Sequence, residues 1–188
     1  MDAGEDLRPA LREQAAGLLR RLAPSDREAL LIKNWMSHDA RWFMAVAAEY
    51  GMQVTNRLNQ RAAREVGKVE AHRLVRALGL PPVSTLDDYL LVQEVFIALL
   101  GPDLLDYRVT KAGDNAFRLH VARCFAHDNA ARAGVAGGLA CGIFARITGW
   151  LDALGLAYDT EPGLDTCLMA QCQECVHTIR LGERASGP

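Results

Sequence analysis

The 188-residue chain reads as an α+β domain, a helical N-terminal half followed by an antiparallel sheet with one long helix packed on it. Three observations predict this class. Apolar residues recur at three- and four-residue spacing through the first hundred positions. The period then switches to two where Phe117, Leu119 and Val121 alternate with Arg118, His120 and Ala122. A single helical stretch, residues 143–154, is inserted among the later strands, which does not suit an alternating parallel sheet.

The first predicted helix covers residues 7–22, where Leu7, Leu11, Ala15, Leu18 and Leu22 keep to one face until Pro24 ends it. Ser25, with Glu28 three residues on, is a capping-box signature that opens a second helix through Leu30 toward Asn34. A third starts near Ser37, with Asp39 in its first turn, and sets Trp42, Phe43, Val46, Ala47 and Tyr50 on one face before Gly51 interrupts it. The next runs to Leu78 with Leu58, Ala62, Val66 and Val69 expected inward, and it stops at Gly79 before Pro81 and Pro82. Ser84 and Asp87 are the expected caps of a helix that ends at Gly101 and Pro102. Tyr107, Val109 and Lys111 supply a hairpin partner for the strand at 117–121, and short strands are expected at 156–159, 167–171 and 175–181. The predicted organisation is one domain over 1–182 with a loose tail at 183–188.

Charge narrows the function classes. With 23% charged residues and a formal net charge of −2, the chain carries no overall field for a phosphate backbone, so nucleic acid is not an expected partner. The N-terminus is acidic where a leader would be basic, and the weakly polar run at 133–145 falls short of the roughly 20 residues a spanning helix needs. A cytoplasmic protein without a membrane partner is therefore expected. Five cysteines, all after residue 120, suit reduced thiols or thiolate ligands and not a disulfide framework. Gly134, Gly137, Gly138 and Gly142 lack the spacing and the lysine of a phosphate loop and read as close packing.

Three groups of side chains could carry chemistry. Cys167, Cys172 and Cys175 stand at x4-x2 spacing before His177, with Cys124 and Cys141 upstream. Soft thiolates bind zinc or iron, an activated thiol is a nucleophile, and a plain thiol fills core space, so three readings stay open. Plant-type iron–sulfur sites share the spacing, but their fourth cysteine comes later and this chain has none there. The second group is His38 beside Asp39, flanked by Trp35 and Trp42, either a general base in an aromatic-walled pocket or a helix cap with core tryptophans. The third lies on the long helix, where Asn56, Gln60 and Arg64 share one face and read as a solvated polar stripe. Asn59 falls outside that stripe and is singled out as a ligand contact, because Asn is a poor helix former without a bonding duty.

Residues 34–43, Cys124, the segment 141–146, Gly149, Trp150 and Cys175 together resemble a family of bacterial and archaeal proteins of unknown function over nearly the whole chain. The C-terminal half is similar to the aminothiazoline-carboxylate hydrolase family and to the 4-vinyl reductase small-molecule-binding domain. The resemblance implies a small-molecule pocket and hydrolysis of a small C–N or C–S heterocycle. It carries over His38, Asp39, Cys124, Cys141, Cys167 and Cys175, while Cys172 stands where that pattern has glycine and counts as an extra thiol. The expected function is thus a cytosolic small-molecule hydrolase, with His38 and Asp39 moving protons and Cys124 or Cys141 as nucleophile. The alternative is a non-enzymatic sensor in which Cys124, Cys141, Cys167 and Cys175 hold zinc, and Trp35, Trp42 and Phe144 line a pocket for an apolar ligand. Zinc is the candidate cofactor, and a homodimer the candidate assembly as the commonest oligomer.

Overall fold

A computed structural model describes residues 6–101, 103–172 and 174–182, and the tail expected at 183–188 lies outside them. Pro9 sits in the first turn of α1 (Arg8–Leu19), where its missing N–H would have had no partner in any case. In α2 (Pro24–Leu78) only Gly51 leaves helical geometry, at φ 76° and ψ 164°, backbone that a residue without a Cβ adopts freely. The break expected near Ser37 is absent. Ser37 and Asp39 lie in the helix interior and not at a helix start, because no glycine or proline stands near them to interrupt the backbone.

α3 (Leu86–Leu100) is capped by Thr85 and not Ser84. Thr85 Oγ1 accepts from the Asp88 N–H at 3.1 Å, and Asp88 Oδ2 accepts from the N–H groups of Thr85 at 2.8 Å and Ser84 at 3.0 Å. The hairpin of β1 (Leu105–Lys111) and β2 (Ala116–Cys124) follows, then α4 (Phe125–Arg132), a 3-10 turn (Ala136–Gly138) and α5 (Gly142–Ala153). β3 (Tyr158–Glu161), α6 (Leu168–Cys172) and β4 (Cys175–Leu181) complete the order. The strand expected at 167–171 is helical instead. Leu168, Met169, Ala170 and Gln171 are unbranched at Cβ and favour helix, which outweighs a short apolar run.

The sheet runs β1-β2-β4-β3 with every neighbouring pair antiparallel. Phe117 pairs with Lys111 and Ile179, and Val121 with Tyr107 and Cys175. Period-two alternation turns Phe117, Leu119 and Val121 inward beside Cys175, His177, Ile179 and Leu181. Phe144, Ile147, Trp150 and Leu151 of α5 and Tyr89 and Phe96 of α3 belong to the same core, where Phe96 meets Trp150 edge-on at 5.1 Å. Each such buried side chain contributes about 1.5–3 kcal/mol.

The chain divides into two units, Met1–Asp39 and Ala40–Pro188. In the first, α1 forms where the apolar period predicts it but buries none of its residues, and Leu7, Leu11 and Leu18 remain exposed. The second holds the sheet, α3 to α6 and the part of α2 beyond Asp39.

Candidate functional site

Within the second unit α2 and α5 cross in backbone contact. A Cβ on Gly67 would stand 2.3 Å from the Arg146 carbonyl oxygen, and one on Gly149 would stand 2.1 Å from that of Arg64, so both positions require glycine. Either side of the crossing, polar side chains of α2 grip the segment around α5. Asn56 Nδ2 donates to the Gly138 carbonyl at 2.6 Å while its Oδ1 accepts from the Ala140 N–H at 3.1 Å. Gln60 Nε2 donates to the Leu164 carbonyl at 2.6 Å and more weakly to that of Cys141 at 3.4 Å. Arg64 forks onto both oxygens of Asp152 at 2.6 and 2.9 Å and donates to the Tyr158 hydroxyl at 2.9 Å. Glu70 pairs with Arg146 and accepts from Trp150 Nε1 at 3.2 Å.

The polar stripe read as solvated is therefore the packing seam. Asn59 shares it: its amide nitrogen lies 2.8 Å from where a Cβ on Gly142 would be. The stripe expected to face inward is the exposed one, with Leu58 at 47%, Val66 at 43% and Val69 at 45% exposure, and Ala62 exposed as well. Backbone proximity explains the exchange. Helices touching at two glycines leave no room for Leu and Val between them, and the carbonyls of 138, 141 and 164 need donors.

The thiols sit around the N-terminus of α5. Cys141 is its N-cap, with Sγ accepting from the Phe144 N–H at 3.4 Å. Its backbone N–H donates to the Leu164 carbonyl at 3.1 Å, and that of Cys167 to the Leu139 carbonyl at 2.7 Å, which sets the two segments side by side. Burial pushes the Cys141 thiol up to about 12; the Phe144 N–H opposes the shift, and the nearby Cys124, Cys175 and Cys167 add to it. Burial also raises Cys124, against the pull of the His127 and Ala126 backbone. Next to them His177 is 1% exposed and tilted over Phe144 with ring centroids 3.8 Å apart, and neither ring nitrogen makes a well-formed hydrogen bond among the described residues, the Pro162 backbone being only a weak polar contact. Burial pushes its pKa down to about 4, opposed only by the Pro162 backbone, so the ring is neutral near pH 7.

This arrangement corrects several expectations. Among the described residues no group of three His, Cys, Asp or Glu side chains is placed to hold a metal ion. Cys124, Cys141, Cys167 and Cys175 come within electrostatic reach of one another but form no metal-holding group among the described residues, because strands β2 and β4, the α5 cap and the 164–167 segment each hold a thiol in its own packing position. As nucleophiles, Cys124 and Cys141 are held in the thiol form by burial, opposite to what an activated cysteine needs. Phe144 is core, 1% exposed, whereas Trp42 is 66% exposed. In the first unit His38 and Asp39 are exposed and Trp35 is 39% exposed. Gly67 was passed over in the sequence, and His177 was noted only as the residue that follows the cysteine spacing. The signal available was small residues at four-residue spacing, Ala63, Gly67 and Ala71, on the helix that faces Gly142, Ala145 and Gly149.

The chain belongs to a family of unknown function, DUF6125, whose model matches residues 26–136. None of the curated proteins matches it. Among solved structures it is similar to trafficking protein particle complex subunit 3 from Naegleria fowleri, crystallised covalently bound to palmitic acid. That likeness has a TM-score of 0.55 at 12% identity and covers 87% of this chain and 99% of the other, so it is one of fold. It overturns the likeness to thiazoline-ring hydrolases, since the fold is shared with a subunit of a trafficking complex and the buried thiols are not activated for attack. No helix among the described residues is long and apolar enough to cross a membrane.

Proposed function

We propose that this member of DUF6125 is a non-enzymatic assembly subunit, a small domain that works by binding other proteins. The observation that carries the reading is the apolar ridge of α2, where Leu58, Ala62, Val66 and Val69 recur at i, i+4, i+8 and i+11 and all are exposed. Single exposed apolar residues are ordinary, but a helical ridge of them on one face is the pattern of a contact surface. The opposite face is fastened to α5 through Asn56, Gln60, Gly67 and Glu70, so the ridge is presented by a rigid element. The fold shared with a subunit of a trafficking complex supports the same reading.

The test is the size of the native particle. Isolated from its own cells by gentle methods, the full chain is expected to run as part of a complex larger than its 20.6 kDa, and Val66→Lys is expected to return it to the free chain with an unchanged far-UV circular dichroism spectrum. A wild-type chain that runs alone at native concentration would remove the proposal.

A further inference from the structure

The ridge has a charged border, and the border identifies what fits it. Between Met52 and Leu78 the only carboxylates are Glu65 and Glu70, and Glu70 is turned to Arg146 and Trp150. Glu65 is paired with Lys68. Arg64 and Lys68 are tied to Asp152. Arg57, Arg61, Arg73 and Arg76 are exposed, and no ion pair holds any of them among the described residues. A chain of net charge −2 thus concentrates unanswered positive charge along one helix face. We propose that this face docks an amphipathic helix of another protein, with an apolar ridge of its own bordered by Asp and Glu.

Three arguments select that occupant, given the assembly reading on which the proposal rests. The ridge spans twelve residues from Leu58 to Val69, about 16 Å or three turns, the length of a short helix laid along it. Its side chains are Leu, Ala, Val and Val, low and close-set, which suits ridge-into-groove packing of a second helix. A face made to enter a lipid surface carries Trp, Phe or several Leu, and only Leu58 is of that kind here. A second copy of the chain is disfavoured by charge. A twofold interface sets the same patch against itself, so Arg57, Arg61, Arg73 and Arg76 would oppose their own images with only Glu65 to answer them.

The experiment uses the full chain and two designed helical peptides labelled for fluorescence anisotropy. They share one leucine ridge and differ only in flanks, Glu in one and Lys in the other. The Glu-flanked peptide should bind at least about tenfold more tightly, and added salt should weaken it. Arg61→Glu should narrow or reverse that preference, and Val66→Lys should cut binding about tenfold with the helical spectrum unchanged. Equal binding of both peptides, or of neither, overturns the proposal. So does a concentration-dependent dimer in sedimentation that Val66→Lys abolishes, or tighter binding to phosphatidylserine vesicles than to the Glu-flanked peptide. If the native particle is large but insensitive to Val66→Lys and neither peptide binds, this partner assignment falls while assembly through another surface stands. If the native chain runs alone, the assembly reading itself falls.

Discussion

The two faces of α2 beyond Gly51 have exchanged the roles their hydropathy suggests. One carries Asn56, Gln60, Gly67 and Glu70 and packs against α5 and its flanking segments; the other carries Leu58, Ala62, Val66 and Val69 and is exposed. What decides between them is how closely the neighbour approaches. Where two helix backbones touch, a side chain of any size is excluded, and the non-helical carbonyls alongside must be met by amide donors. Apolar area is then displaced to the face turned away from the crossing, where Leu58, Val66 and Val69 stand exposed.

Substitution at the crossing is the most direct way to break this comparison. Gly149→Ala puts a methyl into the Arg64 carbonyl, with backbone on both sides and nothing flexible to yield, and it should cost about 3 kcal/mol or more in urea unfolding or prevent folding outright. Val66→Ala, one position from Gly67 but on the open face, should change stability by less than about 0.5 kcal/mol. Similar losses at both would mean that the two faces are not distinct.

A buried polar group inside the seam's hydrogen bonds differs from one without well-formed bonds, and His177 sharpens that contrast through pH. Above its unfolded pKa of about 6.5 the ring is neutral in both states and stability is full. As pH falls from 6.5 to 4 the unfolded chain takes a proton that the folded ring refuses, so stability declines by about 3 kcal/mol and no further below. His177→Leu should remove that slope when the two proteins are compared by thermal unfolding across pH 4–7; an unchanged slope would place the titration elsewhere.

Asn56→Ala comes next in size. It strips a donor from the Gly138 carbonyl and an acceptor from the Ala140 N–H, and a loss of about 1–3 kcal/mol is expected in the same urea experiment. A smaller loss belongs to the rim. Burial disfavours the Asp152 carboxylate, yet Arg64's hydrogen bonds and charge outweigh it and hold its pKa below the usual carboxylate range. Because Arg64 is 48% exposed, Asp152→Asn should cost no more than about 1 kcal/mol, shrinking in high salt.

Much of the chain's local structure was legible in order. The helices around Leu11 and Leu90, the stop at Gly79, the Phe117 strand with its Tyr107 partner and the helix at Ile147 each follow from period and punctuation within a few residues. α4 and α6 were missed, because eight and five residues carry too few repeats to show a period. The thiol neighbourhood was half legible: strand ends brought Cys124 and Cys175 toward α5, but spacing along a chain says nothing of where each Sγ points, and so could not separate ligands from packing.

By itself the sequence determined the α+β class, the sites of chain reversal and the composition of each helix face, since these depend on interactions among residues a few positions apart. Only the tertiary structure decided which face of α2 is inside. That choice rests on Gly67 meeting Gly149 across 82 positions and on carbonyls at 138, 141 and 164 finding Asn56 and Gln60, contacts that come into being only when distant segments are brought to within a few ångströms.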